Sequence, residues 1–327
     1  MGKSTKTCYS TNIFTVMGTI FAVIFIISIL SNALLIVVVL LYENWKNVTT
    51  IFIMNLAVAD LIFTTTLPFW AVYFLRHWVF GSFLCQGVKA LYFISVYSSV
   101  LILTALSVDR LILVIKKPKD SFRRKYVLGT CAAAWLIGII ASSTKAITVE
   151  KTEWDRIYDC ELHPYVDSGY YAEVSLLFLL PFIITVFCYT GIIVTVFKRS
   201  VRRKFRSVSM MFCIVTVFFF WQGPYIIALI VGHLYEPTEC WKQDRKNVIL
   251  VVCHGLAFSH CCMNPLLYML SQKMRKHLYR LCRCEARQTR NPERGGQSTS
   301  VVQNVFYLTT NFAVNRTDNE SRNVTLQ

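Results

Sequence analysis

Three ionisable side chains stand where an apolar chain makes them costly. Asp60 lies within Asn55-Leu56-Ala57-Val58-Ala59-Asp60-Leu61, and Asp109 and Arg110 come near the end of an apolar run covering 86–115. A charge in such surroundings must be paired, protonated or matched by a cation, so positions of this kind serve ion binding, proton handling or switching. Polar partners recur in the same setting: Asn32, Ser99, and Asn264 inside Asn264-Pro265-Leu266-Leu267-Tyr268. Pro68, Pro181, Pro224 and Pro265 also fall in apolar runs. Each proline removes a helix hydrogen bond and leaves a carbonyl for a neighbouring helix or water to satisfy. Polar groups deep among broken helices describe a bundle built to change shape. No nucleophile–base–orienter set and no metal-ligand cluster can be assembled, and His260-Cys261-Cys262 splays adjacent side chains apart on a helix. The chain is therefore expected not to be an enzyme and to hold no metal centre.

The elements that must position these groups are long and apolar. Hydrophobic residues make up 55% of the chain and charged residues 16%. A spanning helix needs about 20 mostly apolar residues. Seven segments qualify, at roughly 12–41, 49–75, 86–115, 126–148, 171–197, 207–234 and 247–270. A soluble helical protein would need polar faces that these segments lack. The expected fold is an all-α membrane protein: a seven-transmembrane helix bundle over 12–270 with a short amphipathic eighth helix over 271–284. Residues 1–11 form the N-terminus, and the polar tail 285–327 is expected to be disordered. The first apolar run is too long for a cleavable signal, and Lys6 stands where a myristoylation motif needs Ser or Thr.

The net charge of +16 would suggest nucleic acid in a soluble protein, but its placement explains it otherwise. Basic clusters follow the third span (Lys116 to Lys125), the fifth (Lys198 to Arg206) and the seventh (Lys273 to Arg287). The positive-inside rule puts all three in the cytoplasm, with the N-terminus outside and the C-terminus inside. No nucleic-acid partner is expected. The opposite side carries acids in the second outer loop: Glu150, Glu153, Asp155, Asp159, Glu161 and Asp167.

This topology sorts the cysteines by depth. Cys8, Cys85, Cys160 and Cys240 face the oxidising side, where four cysteines make two disulfides in any of three pairings. Cys85 at the top of the third span and Cys160 in the following loop suit one bridge, which leaves Cys8 for Cys240. Six lie within spans as small packing residues, and Cys282 and Cys284 lie just inside, where both are palmitoylation candidates. The stretch from Gln272 to Leu281 is basic and amphipathic and suits a helix resting on membrane lipid. Asn47, Asn315, Asn319 and Asn323 head glycosylation sequons, but all four fall on the cytoplasmic side and are expected to stay bare.

Taken together, Asn32, Leu56-Ala57-Val58-Ala59-Asp60, Asp109-Arg110, Trp135, Pro181 with Tyr189, Pro224 and Asn264-Pro265-x-x-Tyr268 resemble the rhodopsin-like (class A) G-protein-coupled receptors, one set per helix. Within that class, Thr66-Leu67-Pro68-Phe69-Trp70, Trp78-x-Phe80-Gly81 and His260-Cys261-Cys262-Met263-Asn264-Pro265 are similar to motifs of the chemokine receptors. The resemblance implies a plasma-membrane receptor for a chemokine-like protein ligand, with a heterotrimeric G protein and an arrestin as inner partners. Ser298, Thr299 and Ser300 are candidate phosphorylation sites for arrestin. It implies that Asp109, Arg110, Tyr189 and Tyr268 serve coupling and activation, with Arg110 able to pair with Asp109 at rest. Asp60, Ser99 and Asn264 match a pocket for a sodium ion. The ligand pocket would be lined by Trp70, Tyr92, Gln222, Tyr225 and His254, with Asp155, Asp159 and Glu161 above it to attract a basic ligand.

Several positions depart from the pattern. Leu111 replaces the tyrosine of the usual Asp-Arg-Tyr, Gln222 stands for the common tryptophan with Trp221 beside it, and Thr144 lies near a missing proline. His254 replaces a common glutamate, and no Asp or Glu precedes Glu43. Leu111 and the unacidic N-terminus favour the alternative of an atypical scavenging or decoy receptor; a related alternative is a constitutively active homologue, such as a virally encoded one. A retinal photoreceptor would need a Schiff-base lysine in the seventh span, and there is none; a transporter would need repeated broken helices.

Overall fold

The computed structural model describes residues 11–116, 119–147, 153–154, 157–158, 160, 178–199, 202–235, 239–269 and 274–281. Apolar chain in lipid must satisfy its backbone internally, and helices do so segment by segment. Six helical stretches are long and apolar enough to cross a membrane, and a shorter apolar helix makes seven. They are α1 (Thr11–Tyr42), α2 (Val48–Arg76), α3 (Gly81–Ile115), α4 (Asp120–Ile147), α5 (Leu180–Arg199, the shorter one), α6 (Arg202–Leu234), and a seventh made of α7 (Cys240–Phe258) and α8 (His260–Met269). A last helix, α9, covers 274–281.

The burial pattern turns a soluble protein inside out. Phe187 (71% exposed), Leu30, Ile140, Ile183 and Phe220 face outward, whereas Ser28, Asn32, Asp60, Ser98, Ser107, Asp109, Arg110, Gln222, His260 and Asn264 are buried. Exposed apolar surface on this scale belongs against lipid tails. The chain is a multi-pass membrane protein.

Helix boundaries depart from the expected ones where short-range chemistry overrides hydropathy. α3 begins at Gly81 instead of 86 because a tight turn precedes it. Gly81 has φ 79°, a conformation that favours glycine, and its carbonyl accepts the Trp78 indole N–H at 2.7 Å. The Trp78-x-Phe80-Gly81 motif is thus a helix start with its own hydrogen bond. α4 begins at Asp120, so Arg123, Arg124 and Lys125 are helical, not loop. Asn47, noted for its sequon, caps α2 by accepting the Thr49 N–H at 3.1 Å. The seventh span starts at Cys240 and breaks at Ser259. An antiparallel pair, β1 (Glu153–Trp154) with β2 (Ile157–Tyr158), lies between α4 and α5; pairs this short carry no hydropathy signal.

Two helices approach unusually closely. A Cβ on Gly138 of α4 would lie 2.5 Å from the Ser98 hydroxyl and 3.1 Å from the Ile94 carbonyl of α3. The bare backbone lets α4 lie flat on α3, the helix that carries Asp109 and Arg110. On α9, Met274 is buried and His277 stacks on Tyr42 at 5.1 Å with Nε2 3.4 Å from Glu43, so this amphipathic turn seats on the end of α1.

Candidate functional site

The groups singled out in the sequence fall at three levels of one bundle. At the disulfide end, Cys85 in α3 is bonded to Cys160, with Cα atoms 5.8 Å apart, tying the loop after β2 to the top of α3. The Cys8–Cys240 pairing lies outside the described residues, as do Asp155, Asp159, Glu161, Cys282 and Cys284.

Beneath that disulfide the expected pocket residues converge on a residue that motif reasoning passed over. Phe258, the last residue of α7, lies 4.1 Å from His254, 5.3 Å from Tyr92 and 6.4 Å from Trp70, and packs on Phe21 and Phe63. Tyr225 joins through His254, stacked at 4.8 Å and nearly parallel. Edge-to-face and stacked pairs of this kind add about 0.5–1.5 kcal/mol each beyond burial. The signal for Phe258 was present in the sequence: it stands four residues after His254, on the same helix face. The position where a carboxylate is usual is therefore an aromatic-walled imidazole.

Gln222, also expected in that pocket, is buried and turns its amide to the seventh span. Its amide Nε2 lies 3.1 Å from His260 Nδ1 and 3.4 Å from the Ala257 carbonyl. Trp221 donates its indole N–H to Ser259 Oγ at 2.7 Å. Both residues bind α6, just before Pro224, to the break in the seventh span.

The middle level is a polar column. Pro265 cannot donate to the carbonyl of Cys261 four residues earlier. Asn32 of α1 supplies that bond from Nδ2 at 2.9 Å, and also donates to the Ser28 carbonyl at 3.0 Å. Ser28 Oγ lies 2.6 Å from Thr64 Oγ1, and Thr64 donates to the Asp60 carbonyl. Asn264 donates to Asp60 Oδ2 at 3.0 Å. Asp60 is fully buried, and its Oδ1 has no hydrogen-bond partner among the described residues. A bare carboxylate oxygen beside hydroxyls and amides is a donor set that suits a hard monovalent cation or a proton. Ser99 is buried, but no hydrogen bond among the described residues links it to Asp60.

At the third level Asp109 faces two cations: Arg110, the expected partner, as a long ion pair at 3.8 Å, and Arg123 of α4, whose Nε donates to Oδ1 at 2.6 Å and Nη2 to Oδ2 at 2.5 Å. Arg110 is 4% exposed and donates Nη2 to Thr49 Oγ1 at 2.6 Å, with its Nε 3.8 Å from Asp109. Motif reasoning missed Arg123 because it counted only as one of a cluster of inner-loop charges; its helical placement turns it toward α3. Tyr189 and Tyr268 are buried within electrostatic reach of Arg110. Leu111 packs on α5 so closely that a Cβ at Gly191 would lie 3.1 Å from its Cδ1.

Residues 31–268 match the family model "7 transmembrane receptor (rhodopsin family)". The human chemokine XC receptor 1 is 34% identical over 272 residues, 81% of this chain and 80% of that receptor. The human C-C chemokine receptor type 1 is 29% identical over 277 residues, 80% and 78% respectively. A family match that spans all seven helices, together with relatives of one kind aligned over four-fifths of their length, places this chain in the rhodopsin family of seven-transmembrane receptors, a receptor class and not an enzyme class, and within it among the chemokine receptors.

Proposed function

We propose that this receptor binds a basic, chemokine-like peptide or protein at the disulfide end, outside the cell, and signals to a heterotrimeric G protein at the Arg110 end, inside it. The observation that carries this reading is Arg110. It is a buried guanidinium at the end of the third span, hydrogen-bonded to one neutral hydroxyl and 3.8 Å from an Asp109 carboxylate that Arg123 already engages, with Tyr189 and Tyr268 close by. A cation held in that way can turn toward the carbonyl-rich end of a partner's helix. The ligand acts by favouring the conformation in which it does so. The hydrogen bonds of Trp221 and Gln222 to the break in the seventh span give ligand in the aromatic pocket a route to α6. Acids of the second outer loop would steer a basic ligand, raising its association rate more than its affinity.

The orientation rests on the basic clusters after spans three, five and seven. Asp60 with Asn264 and Ser99 would hold a sodium ion as counter-charge, favouring the closed bundle. Membrane lipid would receive α9 and any acyl chains on Cys282 and Cys284, and an arrestin would read the phosphorylated tail.

The test is Arg110→Ala in a G-protein dissociation assay on cells, with surface ligand binding measured in parallel. Signalling should be lost and binding kept, within the reciprocal coupling of about 1–3 kcal/mol that linkage allows. A mutant that signals normally overturns the coupling role. The second reading, an atypical or constitutively active receptor, is favoured by Leu111, which packs on α5 and offers no hydroxyl at the inner surface. A wild type that binds a chemokine and stays silent, or signals without one, moves that reading ahead.

A further inference from the structure

We infer that Arg123 is a positioning residue that keeps the coupling arginine loaded: it takes both Asp109 oxygens as hydrogen-bond acceptors, so that Arg110 keeps only a long ion pair to that carboxylate, and so raises signalling in the absence of ligand. This rests on the coupling reading of Arg110 given above. Asp109 has two carboxylate oxygens, and Arg123 engages both in a forked pair at 2.6 and 2.5 Å. Planar bidentate pairs are the strong form of this bond, and this one is shielded, Asp109 being 2% exposed. Arg110 Nε lies 3.8 Å from Asp109 Oδ2, beyond hydrogen-bond reach, and has no hydrogen-bond partner among the described residues. Of its five donors, one is placed on the Thr49 hydroxyl. A neutral hydroxyl holds a buried cation less firmly than a carboxylate does.

Freeing Asp109 has a predictable outcome. A buried carboxylate that loses its partner takes the nearest cation, and that is Arg110 on the adjacent residue. The long ion pair then closes to hydrogen-bond distance and restrains Arg110. Loss of Arg123 should accordingly lower basal activity, whereas a mere structural brake between α3 and α4 would raise it when broken.

The experiment uses the full chain at matched surface level. Basal G-protein dissociation is read for wild type, Arg123→Gln, Arg123→Lys, Asp109→Asn and Arg123→Gln with Asp109→Asn. Arg123→Gln should lower basal signal roughly 3- to 10-fold, the effect of about one net hydrogen bond in a two-state equilibrium. Arg123→Lys, with no fork, should fall between. Adding Asp109→Asn to Arg123→Gln should restore the signal, since no carboxylate remains to capture Arg110. A rise or no change with Arg123→Gln, or a double variant as low as the single one, overturns the inference.

A fluorescent unnatural amino acid at residue 207 on α6 gives a second readout on purified receptor in nanodiscs, independent of any G protein. There Arg123→Gln should reduce the open population and the double variant should restore it; unchanged populations also overturn the inference. If these populations shift as stated while Arg110→Ala leaves cell signalling intact, the coupling reading has failed and the arginine exchange stands.

Discussion

Replacing Asn32 by Leu keeps the side-chain volume and removes the amide. In the native bundle Nδ2 serves the Cys261 carbonyl at 2.9 Å, which Pro265 has deprived of its helix donor. Interhelical hydrogen bonds within membranes are worth about 1 kcal/mol. Leaving the carbonyl buried and unpaired adds about 1–3 kcal/mol. Ser28 Oγ, 3.5 Å from the same carbonyl, recovers little at that distance. Asn32→Leu should therefore cost about 2–4 kcal/mol, which for a domain of this size lowers the melting temperature by about 3–6 °C. The assay is thermal unfolding of purified receptor by a thiol-independent probe such as intrinsic fluorescence. The argument predicts more than a loss: Pro265→Ala restores an N–H to the helix and gives Cys261 its own donor. The penalty of Asn32→Leu should then shrink by half or more in the Pro265→Ala background, a coupling that a double-mutant cycle reads directly. Strictly additive effects would refute the link between the asparagine and the proline, whatever the single variants do.

Three further outcomes are expected. Gly138→Ala should destabilise the bundle by about 1–3 kcal/mol, because Ser98 Oγ and the Ile94 carbonyl stand where the methyl must go, and Ser98→Ala should relieve part of it in the same melting assay. Cys85→Ser should reduce surface expression in line with the roughly 2–5 kcal/mol that a native disulfide contributes, and non-reducing peptide mapping should find Cys8 bridged to Cys240; free thiols there would sink the second pairing. Deleting residues 2–7, which hold no acid, should change chemokine binding less than neutralising Asp155, Asp159 and Glu161 together; the reverse order would show that the N-terminus captures ligand.

The spans were legible because lipid imposes a length and a composition, and both are local properties of the chain. The buried polar residues were legible for the same reason: Asp60, Asn32 and Asn264 are conspicuous in apolar runs, and two of the three meet at 3.0 Å. What the sequence left hidden depends on helix rotation and on where loops become helical. Arg123 was indistinguishable from Arg124 and Lys125 until α4 was seen to begin at Asp120. Ser259 carried no breaking signal of its own, having neither proline nor glycine character. That the Gln222 amide turns to His260 could not be read from its position in a motif.

That turn explains how one bundle can join its two ends without a continuous chain of charges. Pro224 and Pro265 each remove a backbone bond, one in the sixth span and one in the seventh. The hydrogen bonds that bridge the two spans, Trp221 to Ser259 and Gln222 to His260, lie on the disulfide side of Pro265 and within three residues of Pro224. The bridge therefore sits at the place where both helices bend most easily. Phe258 touches the pocket aromatics and adjoins Ser259 in the chain, so a ligand that displaces this ring also displaces the bridge. Trp221→Phe keeps the ring and deletes the donor. It should weaken the coupling between pocket and Arg110, lowering the maximal ligand response while ligand affinity changes by less than about threefold, in keeping with a coupling energy below about 1 kcal/mol. If the maximal response is unchanged and affinity alone falls, Trp221 belongs to the pocket and the bridge carries no signal.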